Sequence, residues 1–241
     1  MRGILAILTA LVVFILVWTA WPSRVDPAYW EEPEAPALTG VLEPRGRLAE
    51  AELIGEGLIE NSEDIALDPH GTVYASQHSG SVVRLVRGEA GAWSAETVGQ
   101  VSDLPALGLQ WDAEGRLVVA ASDGLYRVDV ATGEVETLTR TGIDGRPLGF
   151  ADDLDIGPDG TIYFTEASWK WANRSDAPSY QLDMAENRPY GALLAFDPAT
   201  GETRTLVDGL YFANGVAMAA DNRSVFFLET YRYRLSRYWL E

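Results

Sequence analysis

The chain has 241 residues, with 36 acidic against 18 basic side chains, a formal charge of −18 and no cysteine. A surface of this charge is repelled by a phosphate backbone, so we expect no nucleic-acid partner. The lack of cysteine excludes thiol catalysis, disulfides and Cys-ligated zinc. With 47% hydrophobic and 10% aromatic residues, the composition is that of a globular protein and not of a disordered acidic tail.

Residues 1–21 predict a transmembrane anchor. From Ile4 to Trp21 the chain carries no charge, and this stretch spans roughly 27 Å of hydrocarbon as a helix. A cleaved signal peptide is the alternative, but bulky Trp18 and Trp21 flank Ala20, the candidate cleavage residue. Arg2 on the short side favours an inside N-terminus, which predicts a single-pass membrane protein whose soluble domain is exported to the periplasmic or extracellular side.

A proline-rich linker and a soluble domain follow the anchor. Residues 22–45 contain five prolines and show little periodicity, which predicts a stiff tether. Residues 46–241 contain no second apolar span of comparable length. We therefore expect this part of the chain to be soluble.

An internal repeat organises the soluble domain. Four segments share an apolar run, a turn with Asp or Gly and a β-rich run: 65–76, 109–122, 154–168 and 216–230. Their turn residues, Gly71, Gly115, Gly160 and Asn222, lie 44, 45 and 62 residues apart. The longest interval contains an insertion at 168–189, in which Trp169, Lys170 and Trp171 could form either a lid over a pocket or a small core.

The repeat predicts an all-β fold, a β-propeller. Further runs follow each turn, two of them with matching D-x-x-T-G-E turns at Asp129–Glu134 and Asp197–Glu202, and their alternation indicates strands with one wet and one dry face. About four strands per unit of 44 residues are typical of a propeller blade. A β-sandwich is the alternative, but it does not explain the equal intervals. Because the last repeat is incomplete, we expect a C-terminally incomplete propeller or a four-bladed ring closed by residues 46–58.

One position recurs eight residues before each turn. It holds Glu63, Leu107, Asp152 and Asn214. Equivalent positions in a propeller share a radius and a height, so the three oxygen donors should converge on the channel, where they suit calcium. The next position holds Asp64, Gly108, Asp153 and Gly215, and Asp64 with Asp153 could hold a second, deeper ion. The alternative is that Asp and Asn stand at these strand entries for local hydrogen bonding.

The sequence identifies no catalytic residue. His70 lies in a turn, and His78 follows a strand and could reach a channel mouth, although a lone histidine is more often structural. The chain contains no G-x-S-x-G elbow, P-loop or G-x-G-x-x-G motif. The catalytic residues therefore stay unknown at this point.

Two stretches carry a family resemblance. FADDLDIGPDGTIYFTEAS (150–168) and FANGVAMAADNRSVFFLETYRYRLSRYWL (212–240) resemble the strictosidine-synthase-like proteins, and the similarity extends over about residues 50–241. The membrane-anchored animal relatives, the adipocyte plasma membrane-associated proteins, also have one N-terminal span. More distantly the chain is similar to paraoxonases and gluconolactonases, six-bladed calcium-dependent hydrolases.

The resemblance implies roles for the recurring positions. Glu63, Asp152 and Asn214 match ligands of the catalytic calcium of the paraoxonase type, although Asp152 stands where Asn is usual. Asp64 and Asp153 match the structural calcium. The catalytic histidine of paraoxonases falls at Leu107, so that proton-transfer step is missing here.

Three functions follow as expectations. The first is a membrane-tethered, calcium-dependent hydrolase of small esters or lactones, of the arylesterase or lactonase type. The second is a non-catalytic propeller that binds a ligand or a partner at the membrane. The third is a condensing enzyme like strictosidine synthase.

Overall fold

A computed structural model describes residues 2–89, 91–172 and 179–240. The N-terminal segment forms α1 (Arg2–Ala20), in which no residue is buried. Its mean hydropathy of 2.6 and its 19 residues make it long and apolar enough to cross a membrane. A signal sequence near an N-terminus has the same properties, so the length and composition of α1 fit an anchor without setting the side of export.

The rest of the chain folds into four antiparallel sheets, in each of which the strands pair in chain order. The first sheet contains β1 (Ile65–Leu67), β2 (Val73–Ser76), β3 (Ser81–Arg87) and β4 (Trp93–Gln100). The second contains β5 (Ala106–Trp111), β6 (Leu117–Ala121), β7 (Gly124–Val128) and β8 (Val135–Thr139). The third contains β9 (Ala151–Ile156), β10 (Ile162–Glu166), β11 (Gly191–Asp197) and β12 (Glu202–Leu210). The fourth contains β13 (Ala213–Met218), β14 (Ser224–Glu229) and β15 (Arg234–Trp239).

The predicted propeller is confirmed, with one sheet for each predicted repeat. The aligned turns between the first two strands of each sheet also have the same geometry. The amide of Gly71 donates to the carbonyl of Asp68 at 2.9 Å, and that of Asn222 donates to Ala219 at 2.8 Å. All four turn residues have positive φ, from 55° at Asn222 to 86° at Gly160, which explains why the repeat uses glycine or asparagine there.

Neighbouring sheets stack face to face, and the hydrophobic core lies between them. In β6, Leu117 and Val119 face the first sheet, whereas Val118 and Ala120 face the third. A strand between two sheets is therefore buried on both sides, and every residue of β6 is buried. The expectation of one wet and one dry face is wrong for the runs that form β7 and β11, in which nearly every residue is buried. Solvent-exposed residues occur instead in the last strands of these sheets, β8 and β12.

The insertion forms a second helix, α2 (Ser179–Glu186). The buried carboxylate of Glu186 accepts hydrogen bonds from Lys170 Nζ and Trp171 Nε1, both at 2.5 Å. Trp171 is buried, so this tryptophan belongs to a small core of the insertion. Residues 173–178 of the predicted insertion lie outside the described residues.

The segments before the propeller differ from the simplest expectation. Residues 46–58 form no strand and contain a short 3-10 turn at Arg47–Glu50, so they do not close a four-bladed ring as the alternative supposed. Part of the predicted linker contacts the propeller, since Asp26 forms an ion pair with Arg188 at 2.6 Å. The boundaries given for anchor, linker and propeller stay predictions.

Candidate functional site

The four residues that lie eight positions before the turns meet at one cavity. Its volume is about 150 Å³, and its lining consists of Glu63, Asp64, Leu107, Gly108, Asp152, Asp153 and Asn214. Leu107, Asp152 and Asn214 are each the second residue of an innermost strand, β5, β9 and β13. Because these strands begin at the same end of their sheets, the cavity lies where the chain enters the blades. The structure thus brings all five predicted ligand residues together.

Asp152 is the most perturbed side chain of the cavity. Burial raises its pKa to about 8, and the nearby carboxylates of Asp153 and Glu63 add to the shift. Within the described part of the chain, no hydrogen bond compensates the Asp152 carboxylate. Negative charges gathered in this way are stabilised by a proton or by a bound cation. Asn214 lies on the adjacent fourth sheet, where its main-chain oxygen accepts a hydrogen bond from Thr165 Oγ1 at 2.6 Å.

The second predicted pair, Asp64 and Asp153, links adjacent blades. The Asp64 carboxylate accepts hydrogen bonds from the amides of Ile65, at 2.7 Å, and of Leu109 in the second sheet, at 2.8 Å. The Asp153 carboxylate accepts from its neighbour Leu154 and from Val216 in the fourth sheet, both at 2.8 Å. These contacts give both residues a structural role that is independent of any ion.

Two opposing effects set the pKa of Asp153. Burial raises this pKa to about 6, while the two amide donors work against the shift and the charges of Asp64 and Asp155 add to it. Gly108 packs against the same residue, because a Cβ at Gly108 would lie 2.9 Å from the Asp153 Cα. The glycine at 108 therefore has a steric reason.

An apolar wall borders the cavity. Leu107 packs in one cluster with Phe150, Ala167, Phe212 and Tyr231. The Phe212 ring lies 5.4 Å from Phe150 and 4.8 Å from Tyr231, measured between centroids. Leu107, at the position equivalent to the oxygen donors, is 3% exposed. Leu107 is the member of this cluster that lines the cavity, and the aromatic rings pack behind it.

A histidine stands beside the cavity. His78 lies in the loop between β2 and β3, and its Nε2 is 3.5 Å from Glu63 Oε1. Both side chains are about half exposed. In the sequence His78 is a lone histidine that could reach a channel mouth, and in the structure its partner is Glu63.

Sequence reasoning missed two further groups near the site. Asp155 accepts hydrogen bonds from the Met218 amide at 2.7 Å and from Gln110 Nε2 at 3.1 Å, so it joins three blades. It lies two residues after Asp153 on the same strand, but the repeat alignment does not single it out, because two of the other three repeats have alanine at this position. The buried Glu166 carboxylate accepts from the amides of Ile143 and Gly149, at 3.1 and 3.2 Å. No pattern in the sequence predicts that contact.

The donor set fits a hard cation by its chemistry. The polar groups of the cavity are carboxylate and amide oxygens, the ligands that calcium prefers. Among the described residues, no three His, Cys, Asp or Glu side chains are already clustered as a metal site. A cation here would therefore depend on the Asn214 oxygen as well as on the acidic residues. The assignment of Glu63, Asp152 and Asn214, and of Asp64 and Asp153, as calcium ligands stays a prediction.

Known proteins resemble this chain along most of its length. A family model for strictosidine synthase matches residues 152–241, and a strictosidine synthase-like N-terminal model matches residues 40–85. The adipocyte plasma membrane-associated protein of Gallus gallus is 33% identical over 90% of this chain and 54% of its own length. Strictosidine synthase-like protein 4 of Arabidopsis thaliana is 34% identical over 80% of this chain and 51% of its own length. The chain thus spans about half the length of these relatives.

Solved structures show the same architecture. A gluconolactonase from Xanthomonas campestris superposes with a TM-score of 0.57 at 19% identity, over 75% of this chain and 58% of that one. The calcium-binding protein regucalcin from Agrobacterium tumefaciens superposes with a TM-score of 0.53 at 18% identity, over 76% of this chain and 55% of that one. At these identities the likeness establishes the propeller fold alone. With its two family matches and its relatives above 30% identity, the chain belongs to the strictosidine synthase-like proteins.

Proposed function

We propose that this protein is a membrane-tethered hydrolase of small esters or lactones that depends on calcium. The observation that carries the proposal is the convergence of oxygen donors from three blades on one cavity of about 150 Å³. The names of two fold neighbours, a gluconolactonase and a calcium-binding protein, support the same reading. Membrane association is supported by α1 and by relatives named as plasma membrane-associated.

The cavity would admit the reacting end of a substrate. Pockets that enclose whole ligands usually measure about 300–1,000 Å³, whereas this one measures about 150 Å³. An ester carbonyl with a cation or a few waters matches the smaller volume. The remainder of the substrate would lie outside the cavity, next to the aliphatic side chain of Leu107 in its lining.

The residues around the cavity would have different roles in catalysis. Glu63, Asp152 and Asn214 would hold the calcium, which when bound neutralises the carboxylates and polarises a carbonyl oxygen. Asp64 and Asp153 would position the inner strands and could hold the second ion. We assign His78 to accept the proton of the attacking water, because its imidazole lies beside Glu63 at the cavity.

The test is turnover of an aryl ester and lactone panel by the full chain in detergent. We expect chelation to abolish turnover and Asn214→Ala to lower kcat/KM by at least about tenfold. Asp159→Ala, in an exposed turn at the far end of the third sheet, is the matched control and should leave turnover unchanged. Turnover that survives both chelation and Asn214→Ala would overturn the proposal.

Leu107 favours a second candidate, a propeller that binds a ligand without catalysis. Its buried aliphatic side chain occupies the equivalent position in the second sheet and offers no proton acceptor. This candidate predicts that calcium raises the melting temperature while no member of the panel is hydrolysed. Loss of turnover in His78→Ala, with normal calcium binding, would instead favour the hydrolase.

A further inference from the structure

A segment just after α1 is docked on the propeller. We call residues 26–32 the strap. The amides of Asp26 and Ala28 donate to the side chain and the main-chain oxygen of Glu186, at 3.0 and 2.9 Å. Arg188 donates to the Asp26 carbonyl at 2.7 Å and also pairs with its carboxylate.

The C-terminal end of the strap is held by aromatic contacts and by a cation–π contact. The Arg232 guanidinium lies over the Trp30 ring, 4.7 Å from its centroid. The Tyr233 ring lies 5.6 Å from Trp30, and its hydroxyl donates to Glu32 at 3.4 Å. The strap is therefore fixed at both ends, to α2 and to the turn that follows β14.

Both docking elements lie at the cavity end of the propeller. The last residue of β10, Glu166, pairs with Ala151, the first residue of β9, and the insertion that carries α2 follows Glu166. In the same way Glu229 at the end of β14 pairs with Ala213 at the start of β13. Asp152 is the neighbour of Ala151 in sequence, so the strap lies on the face into which the cavity opens.

The strap also lies close to the membrane segment. Five residues separate the end of α1 at Ala20 from Asp26. Fully extended, this connection reaches at most about 20 Å. A propeller held at Asp26 therefore cannot turn its cavity face far from the membrane that contains α1.

The same face exposes large apolar side chains beside basic ones. The exposed fractions are 91% for Tyr29, 46% for Tyr180, 57% for Met184 and 69% for Tyr233. Lys170, Arg188 and Arg232 lie among them. Lys170 and Arg188 are paired with Glu186 and Asp26, the Arg232 guanidinium lies over the Trp30 ring, and the strap itself also carries Glu31 and Glu32. Aromatic rings combined with Lys and Arg are typical of surfaces that lie at the headgroup level of a bilayer.

We propose that the strap holds the cavity face of the propeller against the lipid surface from which α1 emerges. The bound partner is then the headgroup region of the bilayer itself. The inference rests on α1 acting as the anchor, as proposed above, but not on any enzymatic activity. It means that the cavity is reached from the membrane surface.

The cysteine-free sequence allows a direct test. Met184→Cys on α2 and Ala131→Cys in the exposed turn between β7 and β8, at the opposite end, are each labelled with an environment-sensitive fluorophore. The full chain is reconstituted in phosphatidylcholine vesicles with nitroxide-labelled headgroups. We expect the nitroxides to quench the label at 184 at least about three times as strongly as the label at 131. Equal quenching of the two, or stronger quenching at 131, would overturn the proposal.

The strap itself is tested by releasing it. The double variant Trp30→Ala and Arg188→Ala should reduce quenching at 184 to the level at 131. The melting temperature of the propeller should stay the same. Arg45→Ala, which lies outside the strap, should change neither quenching nor melting temperature. Quenching that survives release would overturn the role of the strap. If the chain fails to float with the vesicles, α1 is not a membrane anchor. If the label at 184 self-quenches but is not quenched by the nitroxides, this face binds a second copy of the chain and not the lipid headgroups.

Discussion

Asp152 illustrates how an individual residue acquires a property from its position in the repeat. Alone it is an aspartate at a strand entry, a place that local hydrogen bonding explains well enough. In the folded chain it shares a cavity with Glu63 and Asp153. Burial first, and then these charges, raise its pKa to about 8. A carboxyl group in this state exchanges its proton for a cation readily, which is the basis of the calcium proposal.

The raised pKa values predict that the ion-free protein loses stability as pH rises. Between about pH 4 and 8 the folded chain retains protons at Asp152 and Asp153 that the unfolded chain has released, so the free energy of unfolding falls with pH. Groups whose pKa is lowered in the folded chain, such as Glu186, change the free energy of unfolding only at pH values below this range. Thermal unfolding in chelator should therefore give a lower midpoint at pH 8 than at pH 5.5.

The variant Asp152→Asn provides the control for this prediction. It removes the titrating group, so its melting midpoint should fall less between pH 5.5 and 8 than that of the wild type. A wild-type midpoint that stays level or rises over this range would contradict the account.

At the scale of secondary-structure elements, the inner strands are joined by carboxylates as well as by packing. Asp64, Asp153 and Asp155 each accept a backbone amide of a neighbouring blade. Buried amides that lose such an acceptor destabilise a fold by about 1–3 kcal/mol. These residues therefore contribute to the alignment of the strand entries that line the cavity.

Removing one of these links should cost measurable stability. We expect Asp153→Ala to lower the free energy of unfolding by about 1–3 kcal/mol, because the Val216 and Leu154 amides lose their acceptor. The measurement is denaturant unfolding in the presence of chelator, so that no ion contributes. Asp159→Ala, which removes a local bond to the exposed Thr161 amide, should change it by less than about 0.5 kcal/mol. Equal effects of the two variants would refute the structural role of Asp153.

At the scale of the whole molecule, α1 and the propeller should behave as an anchored pair. We expect the full chain to stay with membranes during alkaline carbonate extraction, because the apolar helix α1 remains in the bilayer. A chain that lacks residues 1–21 should be released, since the strap contacts involve the propeller and not the lipid core. Release of the full chain under the same conditions would contradict membrane spanning.

The sequence predicted the repeat and its register because turn chemistry is local. Gly71, Gly115, Gly160 and Asn222 mark the turns with backbone conformations that few other residues adopt, and counting from Gly160 and Asn222 located Asp152 and Asn214 at the cavity. The strap, the Glu166 contacts and the pairing of His78 with Glu63 could not be predicted. Each joins segments that are distant in the chain or in irregular loops, where no periodic pattern fixes a partner.

Whether the recurring position forms a calcium site is decided by a calcium titration of the purified full chain. By isothermal calorimetry at pH 8.5, where the pKa of Asp152 is exceeded, we predict at least one bound calcium per chain in the wild type and in Asp159→Ala. Asp152→Asn and Asn214→Ala should weaken binding by at least about tenfold. No calcium binding by the wild type, or unchanged binding in both cavity variants, would mean that this position is not a calcium site.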